Sequence, residues 1–198
     1  MYINFKSCKK KIDMGKLGYH NVSQKRTVWR EISEQYSGKF SIFQTKSNVL
    51  ERFNLVIPYN EINIEITESD TRPLKLSFEA ELHKKFEFSI SQEDFTDKIT
   101  KFFGKKELQI KDKEFNDLFF LKSNNDFLLI EFLDNPELIA QIKELNLYSM
   151  NCEFNKKTSF YHFLSVFSYN IKKKETLDEI IQLHFIIIQR LKSLMLIK

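Results

Sequence analysis

Glycine and proline are scarce in this 198-residue chain, at four and three copies. No two glycines lie closer than Gly15 and Gly18. That excludes the phosphate cradles of P-loop and dinucleotide-binding proteins, whose backbone must approach the ligand at glycine. Turns must instead rest on Asn, Asp, Ser and Lys. Cysteine is limited to Cys8 and Cys152, far apart and in no metal-ligand or redox spacing. A disulfide scaffold is excluded, and a reducing cytoplasm is the expected compartment. No continuous apolar run follows the lysines of "MYINFKSCKKKIDMGKLGYH", so a signal peptide is not expected. The most apolar segment, "IIQLHFIIIQRLKSLMLI", is interrupted by His184, Arg190 and Lys192. A membrane span needs about 20 mostly uncharged apolar residues, so this segment reads as a buried helix.

What the chain has in excess is phenylalanine, with 20 copies against one tryptophan. Abundant Phe, Ile, Lys and Asn fit coding from an AT-rich genome, so the count itself carries no function. Charge is unevenly placed. Residues 1–30 hold eight Lys or Arg and one acid, a net +7, leaving 23 basic against 26 acidic residues behind them. Residues 1–22 read as a basic N-terminal arm and residues 23–198 as one domain. Lys9, Lys10, Lys11, Lys25 and Arg26 are the candidates for touching nucleic acid or an anionic surface.

Periodicity gives the architecture. Ser23 is placed to cap a helix in which Val28, Trp29, Ile32 and Tyr36 line one face. Gly38 stands where a left-handed C-terminal cap would. Five segments between Lys39 and Ser91 then alternate apolar and polar residues, most cleanly Ile62, Ile64 and Ile66 against Asn63, Glu65 and Thr67. Alternation of this kind predicts a sheet with one buried and one wet face, joined by short turns as an antiparallel meander. Ser91 with Asp94 predicts the next helix start, ended by Gly104, and "KELQI" a short strand. Asp112 caps a helix in which Phe115, Leu118 and Phe119 share a face and belong to the core. "LKSNND" reads as its break. A helix over "DFLLIEFL" follows, with Phe127, Ile130 and Leu133 or Leu128 and Phe132 inward. Asn135-Pro136-Glu137 starts another. "LYSMNCEFN" and "FYHFLSVFSYNI" form a hairpin turning at Asn155, Lys156 and Lys157, and Thr176 caps the last helix. The fold class is α+β: one domain, a twisted, mostly antiparallel sheet of about seven strands with helices packed on one face.

The stretch "IKDKEFNDLFFLKSNN" resembles a motif of the form G-D-x-x-F-D-x-x-F-x-V-x-S-x-[DN], found in uncharacterised bacterial proteins that are tied to membranes or stand alone in the cytosol. Asp112, Phe115, Phe119 and Ser123 match it. Lys111 replaces its Gly and Asn116 its second Asp. Trp29, Gly38 and the last helix fill the parts of the aromatic helix, the strand and the closing helix. The resemblance brings no established activity and implies a structural role for these positions.

No catalytic signature is present, and no catalytic residue, metal ligand or cofactor is assigned. The four histidines have no His or Cys partner at ligand spacing, and the acid pairs of "QEDF" and "LDEI" sit in first helical turns, where the dipole favours them. The expectation is a cytosolic bacterial protein that binds a protein partner without catalysis, with an immunity or defence-system accessory as its sharpest version. The docking surface would be the wet strand face carrying Glu61, Glu65, Glu79, Glu81 and Glu87, suited to a basic partner. The alternatives are a hydrolase assembled from distant residues, and nucleic-acid binding through the basic arm.

Overall fold

A computed structural model describes residues 14–44, 51–69, 71–92, 108–168, 171 and 173–197, with side chains from residue 23 onward. Within them lie α1 (Met14–Gln35), β1 (Lys39–Gln44), β2 (Glu51–Tyr59), β3 (Ile62–Ser69), β4 (Arg72–Ala80) and β5 (Phe88–Gln92). After these come α2 (Lys113–Leu118), β6 (Phe119–Ser123), α3 (Asp126–Leu133), α4 (Pro136–Glu144), β7 (Leu147–Asn155), β8 (Phe160–Phe167) and α5 (Lys174–Ser193). All eight strands form one antiparallel sheet in the order β1-β2-β3-β4-β8-β7-β5-β6. The meander is real for β1–β4. The remaining strands enter from the far side, so β4 is joined to β8 rather than to β5.

Alternation decides which face each residue takes. Phe53, Leu55 and Ile57 of β2, Ile64 and Ile66 of β3, and Leu74, Leu76 and Phe78 of β4 are buried. They meet Trp29 and Ile32 of α1 and the apolar stripe of α5, from Leu177 through Ile180 and Ile187 to Leu191, in one core. The α+β architecture with helices on one face is therefore as expected. No helix among the described residues is long and apolar enough to cross a membrane; the apolar C-terminal segment is the buried α5.

Several boundaries differ from expectation. α1 begins at Met14, and Ser23 lies inside it, so this serine caps nothing. Its C-terminus closes with Ser37, not Gly38, in the left-handed conformation (φ 51°). Gly38 N–H donates to Ser33 O at 2.7 Å and Ser37 N–H to Glu34 O at 3.3 Å, the paired bonds of a Schellman cap. Gly38 is needed for space: a Cβ there would lie 2.9 Å from both Leu55 Cδ1 and Val56 O. Ser91 is a strand residue opposite Phe120 and Ser149, not a helix cap. The helix expected after it and its Gly104 stop lie outside the described residues, as do Lys106 and Glu107 of "KELQI"; in its described part Leu108 makes an isolated bridge to Leu121 in place of the expected strand. The last helix starts at Lys174 without a side-chain cap, and Thr176 is already inside it. Asn135 does cap α4, accepting from Leu138 N–H at 3.1 Å.

Candidate functional site

Phe115 and Phe119 are buried with their rings 4.7 Å apart. Leu118 is 44% exposed, which corrects its placement in the core. The cause is local. The helix ends at Leu118, and Phe119 to Ser123 form β6, where "LKSNND" had read as a break. Two-residue alternation then turns Phe119 and Leu121 inward, while the helical spacing that joined Leu118 to them no longer applies. In α3, Leu128, Leu129, Phe132 and Leu133 are buried, and Phe127 and Ile130 are exposed.

Asp112, Asn116 and Ser123 of this stretch each make structural bonds. Asp112 Oδ1 accepts from Phe115 N–H at 2.9 Å, and this bond, aided by Lys143 at 3.2 Å, holds its carboxyl below the usual range. Asn116 accepts from Ile110 N–H at 2.9 Å and donates to Ile110 O at 2.8 Å. Only a carboxamide can do both, since a carboxylate has no proton for the carbonyl. That explains Asn where the resembling motif has Asp. Ser123 Oγ donates at 3.0 Å towards Glu87 O and Asn125 O and accepts from Asn125 N–H. These bonds fix α2 and the turns at the two ends of the stretch.

Reactive groups elsewhere are also consumed by the fold. Cys152 is buried, its Sγ 3.1 Å from Phe86 O, and burial pushes the thiol up. His184 Nε2 lies 3.0 Å from Ser165 Oγ, the pairing that activates nucleophilic serines. Here both residues are buried, and His184 Nδ1 is spent on Ile180 O at 2.8 Å. Burial lowers its pKa to about 4. The ring is neutral, with the proton on Nδ1 donated to the carbonyl and Nε2 accepting from Ser165. Among the described residues no acid orients it. Among the described residues no His, Cys, Asp or Glu group could hold a metal ion.

The basic candidates divide. Lys9, Lys10 and Lys11 lie outside the described residues. Lys25 is buried, 3.2 Å from the buried Glu68 carboxylate and 4.9 Å above the Phe53 ring. Glu68 continues the inward phase of β3 and also accepts from Ile171 N–H. Arg26 hydrogen-bonds Glu51, which raises the guanidinium pKa and lowers that of the acid. Both cations tie α1 to the sheet, Lys25 from a buried position and Arg26 from a partly exposed one.

The acidic candidates also divide. Glu61, in a turn at φ 67°, and Glu65 and Glu79, on outward strand positions, line one hollow of about 570 Å³. Ser77, Phe160 and His162 share it. The register brings Glu65 opposite Ser77 and Glu79 opposite His162, with Glu153 of β7 on the other side of His162. Glu81 is exposed beyond the end of β4. Glu87 stands apart at the start of β5, accepting from Phe154 N–H at 3.0 Å and from Asn124 at 3.3 Å. The alternation of β8 already put Phe160 and His162 on one face. Their meeting with Glu79 depends on the β4–β8 pairing, between residues far apart in sequence.

A second hollow of about 470 Å³ lies between α3 and α4, lined by Phe127, Ile130, Pro136, Ile139 and Lys143 among others. Phe127 is 73% exposed at its edge.

Neither a family model nor a curated protein matches the chain. Among solved structures it is similar to the crystal structure of the mycobacterial trehalose monomycolate transport factor A, TtfA, with a TM-score of 0.52 and 8% sequence identity. The match covers 84% of this chain and 95% of that one. At such identity the likeness is one of fold alone.

Proposed function

We propose that this protein acts in the cytoplasm by binding a basic protein partner, without catalysis, through the open outer face of β3, β4 and β8. The observation that carries this reading is the hollow that Glu61, Glu65, Glu79 and Phe160 line together. The acids are exposed, and Phe160 remains 42% exposed on a strand face that no described helix covers. A half-exposed aromatic side chain sharing a hollow with carboxylates has the makeup of an interface anchor with a polar rim. The carboxylates would speed encounter with a cationic partner and disfavour acidic ones. A hydrolase is supported less well, because these acids lack the water-excluding walls that acid–base chemistry exploits. Nucleic-acid binding loses Lys25 and Arg26 to internal pairs.

Neutralising a toxin or serving a defence system is the sharpest form of this role. The test is purification of the chain at native expression level, with rescue assayed against toxins encoded beside its gene. A single basic protein retained in stoichiometric amount, together with rescue, is the expected result. Absence of both overturns the proposal.

A further inference from the structure

The hollow on the outer face narrows the chemistry of the partner. Three of its residues are carboxylates and none is Lys or Arg. Phe160 and Val56 supply apolar wall, and Ser77 and His162 supply polar groups. A wholly apolar occupant would strip water from the acids without replacing their hydrogen bonds. An ammonium would satisfy one carboxylate as a compact, strongly hydrated charge. A guanidinium matches every element: it is planar, stacks on an aromatic ring, sheds water more readily, and forks its N–H groups to carboxylates. About 570 Å³ is more than one side chain fills, leaving room for the backbone on either side.

Resting on the docking face proposed above, we infer that the partner inserts an arginine there. Its guanidinium lies over the Phe160 ring and donates to Glu79, which the register sets diagonal to Phe160, while Glu65 flanks the far side of the hollow. Glu61 forms the third side of the rim. Phe160 is then the residue that tells arginine from lysine, and the carboxylates are the residues that attract either.

The experiment titrates the ¹⁵N-labelled chain with an arginine-containing peptide and its lysine counterpart. Expected are amide shifts at Glu65, Ser77, Glu79 and His162, with the arginine peptide binding about threefold more tightly or better. Phe160→Leu keeps an apolar side chain at a partly exposed site, so the fold is retained. It should erase the arginine preference while leaving the weaker lysine binding. Glu65→Lys with Glu79→Lys should abolish both. Equal binding of the two peptides, shifts confined to another surface, or an arginine preference that survives Phe160→Leu each overturns the inference. Equal binding at this hollow, lost on charge reversal, would overturn only the arginine assignment and leave the docking face standing. Retention of the native partner judges that face separately.

Discussion

Strands β4 and β8 present two chemistries on their two faces. Inward, Phe78 and Phe163 stack with ring centres 4.5 Å apart, and Ser165 is buried but satisfied by His184. Outward, one residue along, Glu79 faces His162 and Ser77 faces Leu164. The inner polar groups are few, and each serves packing. The outer ones surround a hollow that the described helices leave open. A one-residue slip of either strand would exchange the faces, so the burial of Phe78 and Phe163 is what fixes Glu79 and His162 outside. Folding and the proposed binding therefore draw on alternate residues of the same strands, and substitutions should separate them.

The largest expected effect is on the inner face. Phe163→Ala should cost about 3–5 kcal/mol in urea unfolding, because it removes a buried ring and leaves a cavity. Its outer neighbour Glu79→Ala should change stability by no more than about 0.5 kcal/mol. Comparable losses at the two positions would break the comparison.

His184 gives the next largest effect and a pH signature for the inner face. Its folded pKa of about 4 lies below the ordinary 6.5, so the unfolded chain binds the proton more readily. The neutral ring's contribution is whole above pH 6.5 and is lost as pH falls towards 4, by roughly 3 kcal/mol in all. His184→Gln should flatten the stability profile across that window. A profile as steep as that of the unaltered chain would contradict the buried neutral ring.

Asn116→Asp sharpens the contrast further, since it restores the residue of the resembling motif. It should destabilise by about 1–3 kcal/mol at pH 7, because Ile110 O loses its donor and faces a carboxylate instead. Thermal unfolding unchanged by the substitution would show that the two-way bond to Ile110 is dispensable.

The faces were legible in the sequence where alternation is strict. Ile62, Ile64, Ile66 and Leu74, Leu76, Phe78 announce both the strand and its buried side, and Asn135-Pro136 announces a helix start by local chemistry alone. What local pattern could not supply is which strands meet. The β4–β8 and β5–β7 pairings join segments separated by dozens of residues, and they decide that Glu79 adjoins His162 while Glu87 does not. Phe115, Leu118 and Phe119 misled because three- and four-residue spacing fits a helix equally well until the strand pairing of β6 takes Phe119. Ser23 misled because a serine before an apolar stripe signals a cap only if the helix begins there, and no proline between Met14 and Ser23 stops it from beginning earlier. Lys25 looked like surface charge, and its pairing with Glu68 under α1 is a tertiary fact.

The central claim is that the outer face binds while the inner face folds. The most direct measurement takes the Glu65→Lys/Glu79→Lys variant and reads its urea unfolding midpoint beside its retention of the partner that the unaltered chain holds. The account predicts an unchanged midpoint and lost retention. An unchanged midpoint with the partner still retained would contradict it.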